Sequence, residues 1–205
     1  MHQLIDSYAR NISDEKQASV IDGSAAGTEK RYKVLHNDYA DPDSLRKLAA
    51  QIKDHTLHHL DEYLPKAEAA LLKNGAHVHF ADSDADAKNT ILSILRSHEV
   101  TRLTKSKSMA AEEIHLNPYL IENGIECLES DLGEFIIQLD DDEPSHIVKP
   151  IIHKNRREIA RTFQREGIAA DYNDDPETIT RRARVYLREK YMLAQAGITG
   201  AIFVC

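Results

Sequence analysis

Between residues 76 and 139 short β-rich runs alternate with stretches of helical period, and that alternation admits few architectures. Residues 76–81 (AHVHFA), 100–104 and 125–128 read as strands, and residues 135–139 as a fourth, because the FII run is apolar on both faces, as in a strand covered on both sides. Between them, residues 84–98 place Ala87, Ile91, Ile94, Leu95 and His98 on one helical face. Residues 108–123 predict a second helix, with Glu112 and Glu113 at the positive end of its dipole and Gly124 as its stop. Strands separated by helices of this length imply an α/β fold: a mainly parallel sheet with helices on both faces, whose ligands gather at the carboxyl ends of the strands.

The flanks are helical. Residues 1–40 are polar and weakly periodic, with a Gly/Ser/Ala-rich patch at 22–28, and read as a polar N-terminal arm with a short helix. From Asp41-Pro42 a capped helix begins, with Leu45, Leu48, Ile52, Leu60, Leu64, Ala67 and Leu71 near the helical period, Pro65 as its expected break and Asn74-Gly75 as its stop. Asn155 with Glu158 forms a capping-box pattern for a helix to Glu166. Asp175-Pro176 opens a last helix lined by Ile179, Ala183, Tyr186, Leu187 and Ala194 and expected to end at Gly197. Two regions result: the arm at 1–40 and one α/β domain at 41–205.

Charge narrows the function. Thirty-four acids against 26 Lys and Arg give a formal charge of -8, so the surface repels a polyanion and excludes general nucleic-acid binding. No apolar run approaches a membrane span of ~20 residues, and the first residues lack the apolar core of a signal peptide, so a cytoplasmic protein is expected. The two cysteines, Cys127 and Cys205, are distant and share no motif. They are expected as thiols, and they are too few for a [4Fe-4S] cluster, which takes four.

Candidate chemistry concentrates between Lys105 and Asn155. Lys105, Ser106, Lys107 and Ser108 lie where a strand hands over to a helix, so backbone N–H groups, hydroxyls and two ammonium groups can converge on a carboxylate or phosphate. Glu113, beside Glu112, and Glu134, after a Gly turn, are candidate general bases or nucleophilic carboxylates; desolvation of Glu134 would raise its pKa into a useful range. His153 is a candidate proton carrier, and His146 and Lys154 candidate substrate-binding groups, on the two sides of Pro150. His55 with His59, and His77 with His79, have pairwise metal spacing but no third ligand, so no metal site is assigned. The 140–143 acidic run lacks a calcium-loop pattern, and dinucleotide, hydrolase and phosphate-loop signatures are absent.

Several strings, in order, carry a family resemblance: HVHFA at 77–81, KSKSM followed by EEI and LN, DLGEFIIQL, PSHIVKPIIHKN, and GITGA at 197–201. The chain resembles the lactate-utilization protein B family (LUD domain), the iron–sulfur subunits of an L-lactate oxidation system. The resemblance implies a fold similar to the sugar-phosphate isomerase and CoA-transferase group, other lactate-utilization subunits as partners, and [4Fe-4S] clusters held by a ferredoxin-like region that follows GITGA in the family. With no cluster ligands here and Ile202 where the family usually has Asn, the chain is expected to be the N-terminal, cluster-free portion, with a sheet left incomplete at its C-terminal end. Two other readings remain: a stand-alone enzyme for a small acid, acyl or sugar-phosphate substrate using an active carboxylate, and an assembly module.

Overall fold

A computed structural model describes residues 14–144 and 149–199. The chain divides into two compact units after Phe80. The first holds three helices, α1 (Asp14–Asp38), α2 (Pro42–His58) and α3 (Leu60–Lys73). The second holds the α/β elements: α4 (Asp84–Ser97), β1 (Arg102–Lys105), α5 (Met109–Glu113), α6 (Leu116–Glu122), β2 (Glu126–Glu129), α7 (Leu132–Asp140), α8 (Arg156–Arg165), α9 (Pro176–Leu193) and β3 (Ala196–Ile198).

In the helical unit the Gly/Ser/Ala patch lies inside α1 and does not interrupt it. Asp41 caps α2 by accepting from the Ser44 backbone N–H and hydroxyl, with Pro42 in the first turn. The break falls at His59 and not at Pro65, which sits inside α3. Pro65 gives up the one N–H that would bond the Asp61 carbonyl, a local loss that does not end α3. Leu45, Leu48 and Ile52 share one face of α2 and all are exposed.

The second unit is built on a parallel sheet of order β2-β1-β3. Leu103 pairs with Cys127 and Ala196, Thr104 with Leu128 and Gly197, Lys105 with Glu129 and Ile198. Alternation sends Leu103 and Cys127 to one face, where they join Leu92, Leu95, Leu116 and Leu120 of α4 and α6. Leu128, on the other face, packs against a core of Phe135, Ile136, Phe163, Ile179 and Ala183 from α7, α8 and α9. Helices thus cover both faces, as the strand and helix alternation requires.

Four expectations for the strand and helix alternation and the last helix change. Residues 76–81 form no strand; His77, His79 and Phe80 are exposed, and without a neighbouring ladder an isolated run gains nothing by being extended. Residues 135–139 are helix α7, capped by Asp131 through the Gly133 and Glu134 amides. Its Phe135, Ile136 and Ile137 are all buried, so apolarity on every side reflects an enclosed helix, which period alone cannot separate from an enclosed strand. Residues 108–123 are two helices, because His115 adopts a left-handed conformation at φ 49° between α5 and α6. The last helix stops at Leu193 and not at Gly197: Gln195 must pair with β1, its backbone donating to Arg102 O and its side-chain oxygen accepting from Thr101 and Arg102. Gln138 of α7 does the same for β2, accepting from Glu129 N and donating to Cys127 O, so the edge of β2 is covered by a side chain.

Candidate functional site

At the carboxyl ends of β1 and β2 the register sets Lys105 beside Glu129, on the face that holds Leu103 and Cys127 below them. The Lys105 ammonium lies 2.7 Å from Glu129 Oε1, with the two side chains 1% and 5% exposed. Asn117, at the start of α6, donates to the same oxygen at 2.5 Å, and its own carbonyl accepts from the Cys127 thiol at 3.3 Å. Burial pushes that thiol up to about 12, and the Glu129 charge adds to the effect.

Around this pair stand three more charged groups. Lys107, 29% exposed, binds the buried Glu134, which the Asp131 cap sets in the first turn of α7. Glu112 of α5 lies within electrostatic reach of Glu134, Lys105, Lys107 and Glu129. Burial raises its pKa above the ordinary glutamate value, and the Glu134 charge raises it further. Two ammonium groups face three carboxylates, a formal charge of -1. Such a cluster favours a proton or a hydrogen-bond donor over a further anion.

The sequence candidates divide between this place and others. Lys105, Lys107 and Glu134 are brought together. Ser106 extends the ladder through its amide to Ile198 O at 2.8 Å, and Ser108 caps α5 by accepting from Ala111 N at 3.2 Å. Glu113 is exposed, whereas its neighbour Glu112 faces the cluster, since adjacent helical residues point about 100° apart. Glu129 and Asn117 were not singled out in the sequence. Glu129 carried one signal, an acid at the carboxyl end of a parallel strand.

His153 and Lys154 belong to the opposite end of α7. His153 Nε2 lies 3.0 Å from Asp142 Oδ2, and Lys154 reaches Asp140 at 2.7 Å and Asp142 at 2.8 Å. Asp140 also accepts from Thr162 and Arg165 of α8. Burial alone would raise the Asp142 carboxyl, but the bonds from Lys154 and His153 outweigh it and hold it at about 2. About 9 Å of helix axis separates Glu134 from Asp140. This second group ties α7 to α8 and to the 149–155 loop. That loop begins where Pro150 packs on Gly133, at the first end of α7. His146 lies outside the described residues.

No group of three or more His, Cys, Asp or Glu among the described residues could hold a metal ion. Of the two cysteines, Cys127 is enclosed and hydrogen-bonded and Cys205 lies outside the described residues, so this chain does not fit a [4Fe-4S] cluster. No described helix is long and apolar enough to cross a membrane.

Comparison with known proteins agrees with the resemblance seen in the strings. Residues 64–205 match the family described as the LUD domain. The chain is 40% identical over 196 residues to Lactate utilization protein B 2 of Bacillus mycoides (strain KBAB4), covering 94% of this chain and 41% of that protein. It is 39% identical, with the same coverage, to Lactate utilization protein B of Bacillus cereus (strain B4264) and of Bacillus thuringiensis (strain Al Hakam). The chain therefore spans about two fifths of the length of these curated relatives. No solved structure matches.

Proposed function

The chain belongs to the LUD domain family, and from that premise we propose that it serves L-lactate utilization in the cytoplasm, handling a small carboxylate at the Lys105, Lys107, Glu112, Glu129 and Glu134 cluster. The observation that carries this reading is the enclosed ion pair at the carboxyl ends of two parallel strands, the place where ligands of open α/β sheets gather. Enclosing Lys105, Glu129 and Glu134 is costly for stability alone, so such a cluster marks a candidate site. The relatives' name points to lactate as the compound served.

Oxidation of L-lactate to pyruvate with electrons delivered to [4Fe-4S] clusters is the finer reading. It assigns the cluster-bearing part to a region outside these residues and the ligand-handling part to this chain, with other lactate-utilization subunits as partners. His153 and Lys154 act in this reading as bracing groups of α7, at a distance from the ligand. The test is genetic and direct: cells lacking this gene should fail to grow on L-lactate yet grow on pyruvate, and the wild-type gene, but not an E129Q/E134Q variant of matched abundance, should restore growth. Undiminished growth of the deletion strain on L-lactate overturns the lactate reading. Restoration by the variant removes the cluster from it.

A further inference from the structure

Two enclosed oxygens in the cluster have no hydrogen-bond partner: Oε1 of Glu112 and Oε2 of Glu129. Buried polar atoms are nearly always paired, so an unpaired one points to something that the site receives. Both oxygens are acceptors, and the missing element is a donor hydrogen. The nearby donor side chains bond elsewhere, and none reaches these two oxygens. Lys105 and Asn117 both serve the other oxygen of Glu129, and Lys107 serves Glu134. A ligand carboxylate beside these oxygens would add to a formal charge of -1, whereas a neutral O–H adds none.

At the rim the balance differs. Lys107 is 29% exposed, and an ammonium has three donors, of which Glu134 takes one. Ser106 and Glu112 are half-buried beside it, so the cluster meets solvent on this side. One small ligand satisfies both needs if it carries an anion at one carbon and a hydroxyl at the next.

We propose that Glu112 and Glu129 read the hydroxyl of a small 2-hydroxy acid, its single O–H hydrogen shared between their unpaired oxygens, while the ligand's carboxylate rests on the Lys107 ammonium. This assignment rests on the lactate reading above and adds to it the residues that distinguish a hydroxy acid from a plain acid. Glu112, which takes the place expected of Glu113, is the specificity-determining group on the rim side, and Glu129, held by Lys105 and Asn117, is the enclosed one.

Titration of the purified protein with L-lactate, and separately with propionate, followed by 1H–15N NMR, tests the assignment. Propionate keeps the carboxylate and the carbon count and lacks the hydroxyl. L-lactate should bind at least about tenfold more tightly, the value of one hydrogen bond to a charged acceptor. In E112A, with an unchanged circular dichroism spectrum, that ratio should fall to about two or less. Equal binding of the two acids to the wild-type protein overturns the hydroxyl assignment and leaves the carboxylate site standing. Binding of neither acid overturns the site and the assignment together. A wild-type preference that E112A retains removes Glu112 from the role. The wild-type ratio needs no variant, so it decides the matter even if E112A does not fold.

Discussion

Replacing Lys105 by Met strands the Glu129 carboxylate in a place with almost no water. The two side chains are 1% and 5% exposed, and the ammonium to carboxylate distance is 2.7 Å. One Glu129 oxygen would keep only Asn117 as donor, and the other has none already. Removing one partner of a buried pair typically costs about 3–5 kcal/mol, while replacing both by apolar or neutral groups of like volume is often neutral. Asn117 still donates in K105M, so the lower end, about 3 kcal/mol, is expected, roughly a hundredfold or more in the folding equilibrium. Urea unfolding followed by circular dichroism measures it for the wild type, K105M, E129Q and K105M/E129Q. The double variant should recover at least about half of the K105M loss, since the uncompensated charge is then gone. A K105M loss below about 1 kcal/mol, the range of an exposed pair, would refute the reasoning that the pair is enclosed and uncompensated without its lysine.

Other perturbations probe both ends of α7 and the neighbouring strand β2. A Cβ on Gly133 would stand 2.8 Å from Pro150 Cγ, a ring carbon with little freedom to move, so G133A should lower stability by about 1–3 kcal/mol in the same urea assay, and a neutral result would show that the 149–155 loop yields there. Asp142 is held at about 2 against an ordinary 3.8, so its contribution is fully present above about pH 4 and is lost as the pH falls towards 2. The stability gap between wild type and D142N should therefore shrink from about 1 kcal/mol at pH 6, a figure reduced for partial solvent screening, to nothing near pH 2; a constant gap would contradict the shift. Cys127, buried and pushed up to about 12, should resist a thiol reagent at pH 8 in the folded protein and react within minutes in urea, as peptide mapping of the labelled protein would show.

Local chemistry was legible in the sequence where a residue acts on its own neighbours. Asp41, Asn155 and Asp175 cap the helices that their patterns announced, and the Asn155–Glu158 capping box is complete. Strands β1 and β2 lie within a residue or two of the expected runs, because β-rich segments between helices have few alternatives. Enclosure was not legible. The Phe135–Leu139 run is apolar all round whether it is a central strand or a packed helix, and only the fit of Asp131 to the Gly133 and Glu134 amides decides for helix.

The same limit applies to the site. Lys105, Lys107 and Glu134 stood out as charges near strand ends, but Glu129 looked like an ordinary strand-end acid until the register set Lys105 against it. Choosing Glu112 over Glu113 needs the direction in which α5 faces the sheet, which two adjacent acids do not encode. His153 and Lys154 are close to Glu134 in sequence, yet the 149–155 loop runs along α7 and delivers them to its far end. Distance along a helix, and not distance along the chain, sorted these residues into a site and a brace.

The most direct test of the cluster as the ligand site is a 1H–15N NMR titration of the purified protein with L-lactate, mapped residue by residue. Shifts that saturate together at Lys105, Lys107, Glu112, Asn117, Glu129 and Glu134 are the expected result. Saturating shifts confined elsewhere, for example to the groove beside α9 lined by Thr178, Arg181 and Arg184, or no saturable shifts at all, would contradict it.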